Sequence, residues 1–184
     1  MSPIEQFQLT STADLATFGR LFSGFKNTAF RLELLSEYNV ESERPYFEAF
    51  LLNPDQAPPS DFNTDWHDIL KAAALRGAVI YRCRAMGEIT PYMEFEKAWG
   101  YKISNSLGEQ IRTLAITELR EIAKDNAVAI IKDFWLFDNA DCYFIEYDFF
   151  GTFLGVRKAE GILLKYLIDF AQEIWLRSDV MSDL

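Results

Sequence analysis

AVIYRCRAM, Ala78 to Met86, is the stretch on which the fold turns. Val79, Tyr81, Cys83 and Ala85 alternate with Ile80, Arg82, Arg84 and Met86, which is the period of two of a β-strand, and its residue types favour one. Two arginines thereby fall on one apolar strand face. A charge in that position must reach water, find a counter-ion, or cost several kcal/mol. The same problem recurs on both sides of the stretch. Upstream, Ala29 to Leu35 sets Phe30, Leu32 and Leu34 on one face and Arg31, Glu33 and Leu35 on the other. Downstream, Gln110 to Thr117 reads as a strand with Arg112 beside Leu114 and Ile116, and Val128 to Asp138 sets Asp133 beside Trp135 and Phe137. If those faces coincide, three to four arginines and two or three carboxylates converge on one sheet.

The remaining segments supply helices and a meander. Thr12 to Asn27 places Leu15, Phe18, Leu21, Phe22 and Phe25 at helical spacing, with Ser11, Thr12 or Asp14 as caps. Glu43 to Leu52 reads as a helix ended by Asn53-Pro54, and Pro54 to Ser60, with three prolines, is a connector or a lid. Asp61 to Leu75 reads as a helix through Trp66, Ile69, Leu70 and Ala73, and Gly77 sits where a helix commonly stops. Thr90-Pro91 opens another helix through Met93, Phe95, Ala98, Trp99 and Ile103, where Gly100 weakens the middle by about 1 kcal/mol and marks a kink or early end. LREIAKDN, residues 119–126, suits a short helix. Val128 to Asp138 and Cys142 to Phe150 flank the hairpin connection Asn139-Ala140-Asp141, and Gly151 and Gly155 bracket a further short strand. Ala159 to Arg177 is a helix whose apolar face includes Leu163, Leu164, Leu167, Phe170, Ile174 and Trp175. Without regular βαβ alternation, the expectation is an α+β fold in one domain, residues 1–184: a single, mostly antiparallel sheet of about five strands, helices packed on one face, and a C-terminal helix.

The 184 residues carry 18 Lys and Arg against 28 Asp and Glu, a net charge of −10 that repels phosphate backbones and anionic lipids. Direct nucleic-acid binding and membrane association are therefore not expected. The N-terminus lacks a basic start followed by an apolar run, and Ile162 to Leu176 is interrupted by Lys165, Asp169, Gln172 and Glu173, so a cytoplasmic chain without a spanning helix is expected. The two cysteines, Cys83 and Cys142, and the single His67 are too few for a zinc site or a nucleophilic triad. Both thiols read as small buried side chains and His67 as a surface or capping imidazole. Glu146 and Asp148 share a strand face but make only a weak case for a hard cation with Asp141 or Glu160. No phosphate-loop, dinucleotide or hydrolase motif occurs, and neither a cofactor nor a metal is expected.

Two readings of the charged strand faces stand side by side. In one, arginines and carboxylates form a self-satisfying ion-pair lattice; in the other, surplus guanidinium receives an anion, with Tyr92 and Trp135 available to stack on a ring. Four blocks add a likeness: NTAFRLE at Asn27 to Glu33, YRCRAM with ITPYMEFE up to Glu96, SLGEQIR at Ser106 to Arg112, and DFWLFD at Asp133 to Asp138. Their order and spacing resemble those of an uncharacterised bacterial family, domain of unknown function 6879, over roughly Phe18 to Asp138. Cys83 and Ala85 stand where that family usually has valine. The resemblance singles out Arg31, Glu33, Arg82, Arg84, Tyr92, Glu94, Gly108, Glu109, Arg112, Asp133, Trp135 and Asp138. It implies a setting near helix-turn-helix regulators and no chemistry.

The resulting expectation is a non-enzymatic regulatory or sensor module. Its candidate ligand residues are Arg31, Glu33, Arg82, Arg84, Tyr92, Glu109, Arg112, Asp133 and Trp135, taking an anionic small molecule. A helix-turn-helix regulator or a second copy of the chain would dock on Leu163, Leu167, Phe170 and Trp175. The alternative is a phosphoester- or nucleotide-processing enzyme in which Arg82, Arg84 and Arg112 clamp phosphate and Glu109 or Asp133 handles a proton.

Overall fold

The computed structural model describes residues 12–126, 128 and 131–181. Of the proposed caps, Ser11 lies outside them. The chain runs α1 (Thr12–Gly24), β1 (Thr28–Glu33), α2 (Arg44–Leu52), α3 (Thr64–Leu75), β2 (Val79–Met86), α4 (residues 91–106), β3 (Gln110–Ala115), α5 (Ile116–Asp125), β4 (Phe134–Phe137), β5 (Asp141–Tyr147), β6 (Phe153–Ala159), α6 (Gly161–Arg177) and β7 (Asp179–Val180). The fold is α+β, with one mixed seven-stranded sheet in the order β6-β5-β4-β1-β2-β3-β7. The expected five, mostly antiparallel strands therefore give way to seven, of which β1, β2 and β3 run parallel. Helices α2 and α3 make the crossover from β1 to β2, and α4 makes the one from β2 to β3. Arginines and glutamates interrupt the apolar runs by which parallel strands are recognised, and this hid the arrangement in the sequence.

Helices cover both faces of the sheet, not one. On the first face Phe30, Leu32, Cys83, Leu114, Phe134, Leu136 and Phe144 meet Leu119 and Ile122 of α5 and Leu167, Phe170 and Ile174 of α6. Leu167 and Phe170 are each only 1% exposed, so these two cannot form the partner surface expected of them. Trp175 is half-buried against Arg112 and Tyr81, which leaves Leu163 as the exposed member of that set. On the opposite face Ala29, Ile80, Trp135, Phe137 and Ile145 pack beneath Phe18 and Phe22 of α1 and Leu70 and Ala73 of α3. Toward the carboxyl ends of β1 and β2 this face turns polar. There an aromatic cluster of Phe50, Phe62, Tyr92, Phe95 and Trp99 roofs it.

Several boundaries shift for local reasons. Strand β3 stops at Ala115 because Ile116 begins α5, and the LREIAKDN segment is helical up to Asp125. Among the described residues of the proposed Val128–Asp138 strand, Phe134–Phe137 form the strand, paired with β1 on one side and β5 on the other; residues 129 and 130 lie outside the described residues. The β4–β5 turn uses left-handed backbone at Asp138 and Asn139, with φ of 51° and 52°, as tight hairpins require. His67 lies buried on α3 instead of at the surface, and burial lowers its pKa. Cys83 and Cys142 are buried and unbridged. The proline-rich connector is tied down where its Gln56 carbonyl accepts a 3.0 Å bond from Trp99 Nε1. Among the described residues no helix is long and apolar enough to cross a membrane.

Candidate functional site

Parallel pairing of β1 with β2 puts Arg31 opposite Arg82 and Glu33 opposite Arg84, all on the face shared with Trp135. Side chains that face each other in a parallel register point to the same side of the sheet, so four charges are crowded together. Glu33 is the hub. Its Oε1 meets Arg82 Nη1 and lies 3.5 Å from Arg31 Nε, while its Oε2 lies 3.5 Å from Arg84 Nη1 and accepts a 2.8 Å bond from the Tyr101 hydroxyl. Arg82 donates from Nε to Glu109 Oε1 at 2.7 Å, and Trp66 Nε1 reaches Glu109 Oε2 at 3.2 Å. Arg31 Nη2 bonds Asp133 Oδ2 at 3.1 Å and the Tyr147 hydroxyl at 3.0 Å. Asp133 Oδ2 also accepts the Tyr38 hydroxyl at 2.5 Å, and its Oδ1 accepts the Leu34 amide at 3.1 Å.

Two local backbone devices deliver the rest. Helix α4 begins with Thr90 capping the Met93 amide and Pro91 in its first turn; Pro91–Phe95 is α-helical, Glu96–Tyr101 is a π-helical stretch, and Lys102–Ser106 is α-helical again. A π turn carries an extra residue within an otherwise α-helical run and is common at functional sites. Here it carries Glu96, Gly100 and Tyr101 to the sheet's polar face. The second device is Gly108, whose φ of 102° allows the sharp turn out of α4 that places Glu109. Between lattice and aromatic roof lies a cavity of about 250 Å³, its wall including Arg31, Glu33, Glu43, Arg82, Glu96 and Tyr147.

The lattice is deeply buried, and its titration follows from that. Burial works against charge on Glu33, yet Arg82, Arg84 and Arg31, with the Tyr101 hydroxyl, outweigh it and hold its pKa down at about 2. Around Glu96 burial prevails, helped by Glu33 and Glu43, over Arg84 Nη2 at 2.9 Å and the more distant Arg82, and lifts its pKa to about 8. Burial likewise raises Glu43, against the bond from the Tyr92 hydroxyl, and Asp133, against Arg31 and Tyr38. Neighbouring tyrosines and carboxylates keep Arg31 and Arg84 charged despite their burial. Two guanidiniums still have unmet donors. Arg31 Nη1 has no hydrogen-bond partner, nor has any nitrogen of Arg84, whose N–H groups are not aligned with the carboxylates beside it. Arg84 instead sits 5.0 Å over the Tyr38 ring.

Of the residues singled out from the sequence, Arg31, Glu33, Arg82, Arg84, Glu109 and Asp133 meet in this lattice, and Tyr92 lines the cavity. Arg112 does not join them. In the β2–β3 register it pairs with Cys83, on the opposite face, where it stacks 4.3 Å over Trp175 and donates to the carbonyls of Trp175 and Ser178. The phosphate clamp expected of Arg82, Arg84 and Arg112 thus lacks its third member. Trp135 packs in the core between Phe22, Trp66 and Phe137, with Arg31 5.6 Å from its ring. Glu94 is exposed, and its neighbour Glu96 is the carboxylate that turns inward. Asp138 is a structural cap, accepting the backbone amides of Lys26, Asn27 and Thr28. Glu146, weighed as a cation ligand, is held by Lys132 and Arg157. Tyr38, Glu43, Glu96 and Tyr101 join the site from a loop, a helix terminus and the π turn, where no periodic pattern marks a direction; Tyr147 joins it from the end of β5, on the face of Tyr143 and Ile145.

The arrangement offers a ligand charged groups of both signs, hydroxyls and aromatic rings along one partly open cavity. No curated protein matches the chain. Residues 16–178 match the family described as a domain of unknown function, DUF6879, which extends the likeness of the four blocks through α6. With most of its length matched, the chain belongs to that family.

Proposed function

We propose that the chain is a non-enzymatic regulatory module that senses a small molecule in the cavity above the Arg31, Arg82 and Arg84 lattice. One observation carries the reading: Arg31, 5% exposed, lines the cavity with its Nη1 unpartnered. A buried donor without an acceptor is destabilising by about 1–3 kcal/mol, and a ligand that supplies an anionic or carbonyl oxygen relieves it. Concave sites with a few convergent polar groups among aromatic rings are the usual form of small-molecule pockets. The carboxyl ends of parallel strands are also where open mixed sheets commonly bind ligands.

A route from pocket to surface supports the regulatory part. The Asn39 amide, next to Tyr38, donates to the Gly151 carbonyl at 3.0 Å, and Asn39 Nδ2 reaches Thr152 Oγ1 at 3.1 Å. The hairpin they hold carries Phe149 and Phe150, 97% and 76% exposed, as an apolar contact for a protein partner such as a regulator or a second copy.

The test is a thermal-shift screen of a metabolite library against the wild-type chain and Val40→Trp. Val40 lines the cavity at a partly exposed position. The reading expects at least one compound that stabilises the wild type and not the variant. It is rejected if no compound stabilises the wild type, or if every stabilisation survives Val40→Trp.

A further inference from the structure

We infer that the ligand of this cavity is an amino-acid-sized zwitterion whose carboxylate takes Arg31 Nη1 and whose ammonium group sits beside Glu43 and Glu96. The inference rests on the ligand-binding reading above and specifies its chemistry.

Size sets the first limit. A dry cavity of about 150 Å³ accepts benzene; the roughly 250 Å³ here holds a molecule somewhat larger, with on the order of ten non-hydrogen atoms. Charge sets the second. The carboxyls of Glu33, Glu43 and Glu96 and the guanidiniums of Arg31 and Arg82 share the wall. Glu33 is consumed by three arginines, and Arg82 by Glu33 and Glu109. What remains is one unpartnered donor, Arg31 Nη1, and two carboxyls with spare capacity. Glu43 has the Tyr92 hydroxyl on Oε2 at 2.8 Å, and Glu96 Oε2, 2.9 Å from Arg84 Nη2, has that ion pair but no aligned hydrogen bond. A bare anion drawn to Arg31 would lie against those carboxyls, and a bare cation drawn to them would lie against two guanidiniums. A molecule with both charges satisfies both ends.

The rings favour the same ligand. Tyr92, Trp66 and Tyr147 are on the wall, and aromatic faces attract an ammonium group as they would not a carboxylate.

The experiment uses wild-type protein and matched probes: the twenty standard amino acids at about 10 mM in a thermal shift, then calorimetry of the best one against its decarboxylated amine and its deaminated acid. The expected result is protection by at least one amino acid, with both matched compounds at least about tenfold weaker. Glu43→Gln, at a half-buried position, should weaken that amino acid by about tenfold, and exposed Glu94→Gln should leave it unchanged. An acid that binds as well as the amino acid makes this an anion pocket, and an equally good amine makes it a cation pocket; either overturns the zwitterion while leaving the ligand-binding reading intact. Protection by other members of the metabolite library and by no amino acid does the same. Failure of the whole library in the Val40→Trp comparison is the separate result that removes the pocket's function altogether.

Discussion

Glu33 and Arg84 face each other across the parallel pair β1–β2, with Glu33 Oε2 3.5 Å from Arg84 Nη1 and neither side chain more than 6% exposed. The same carboxylate serves Arg31 and Arg82, so it is the common counter-ion of three buried guanidiniums. Glu33→Gln keeps the shape and removes the charge. It should destabilise the chain by about 3–5 kcal/mol, because it leaves buried positive charge uncompensated. Urea unfolding measures this, with Glu94→Gln, at an exposed position, as the control expected within about 0.5 kcal/mol of wild type. Equal midpoints for the two variants would mean that the lattice does not hold the sheet.

Acid and base should act on this cluster in opposite ways. Glu33, lowered from 4.5 to about 2, gives stability that is complete above the unfolded value and is lost as pH falls from 4.5 towards 2. Glu96, raised from 4.5 to about 8, binds its proton more tightly folded than unfolded, so its contribution declines as pH rises through that window. Urea midpoints of the wild type should therefore fall between pH 4.5 and 8, and Glu96→Gln should flatten that slope. A variant whose midpoints track the wild type across the window would show that Glu96 ionises normally in the fold.

Arg112 belongs to the other face, and its removal should be felt there alone. Arg112→Ala loses the stack on Trp175 and the bonds to the carbonyls of Trp175 and Ser178, at about 1–3 kcal/mol. The thermal shift given by a cavity ligand should be the same size in this variant as in the wild type. A lost shift would place Arg112 in the site's chemistry after all.

Two glycines should respond to alanine with opposite signs. At Gly151, φ is +78° and an added Cβ would stand 2.8 Å from the Glu37 carbonyl oxygen, in backbone that cannot swing aside. Gly151→Ala should be destabilising by about 1–3 kcal/mol and should speed hydrogen exchange at the Asn39 amide, which bonds Gly151. At Gly19, inside α1, a Cβ meets nothing within 4 Å, and alanine should stabilise by about 0.5–1 kcal/mol. Melting temperatures of the two variants, moving in opposite directions, check both.

How much of this could be read in advance depended on which residues sit in periodic segments. Alternation in TAFRLE and VIYRCRAM assigned faces to Arg31, Glu33, Arg82 and Arg84 that the register confirms. The same argument placed Arg112 with Leu114 correctly, but alternation within a strand cannot tell which side of the sheet that face becomes. Parallel order was missed for a related reason: α2, α3 and the proline loop stretch the β1-to-β2 crossover well beyond an ordinary βαβ unit, and charge on the strands mimics a half-solvated antiparallel sheet. Glu96 and Tyr101 were illegible because their direction is set by a π turn; Gly100 was the one visible sign of irregularity there. Tyr38 enters from a loop, where spacing carries no directional information.

The wide turn at Glu96–Tyr101 makes the cavity separable from the scaffold that bears it. Such a turn amounts to one surplus residue inserted in a regular helix, so excising a single residue within it would let α4 close up as an uninterrupted coil with its two ends, at Pro91 and Ser106, still usable by their neighbours. One codon's loss could thus erase a wall of the chamber and spare the rest, which makes a one-residue gap at this point a diagnostic to look for when related chains are sorted into those that keep the chamber and those that have abandoned it.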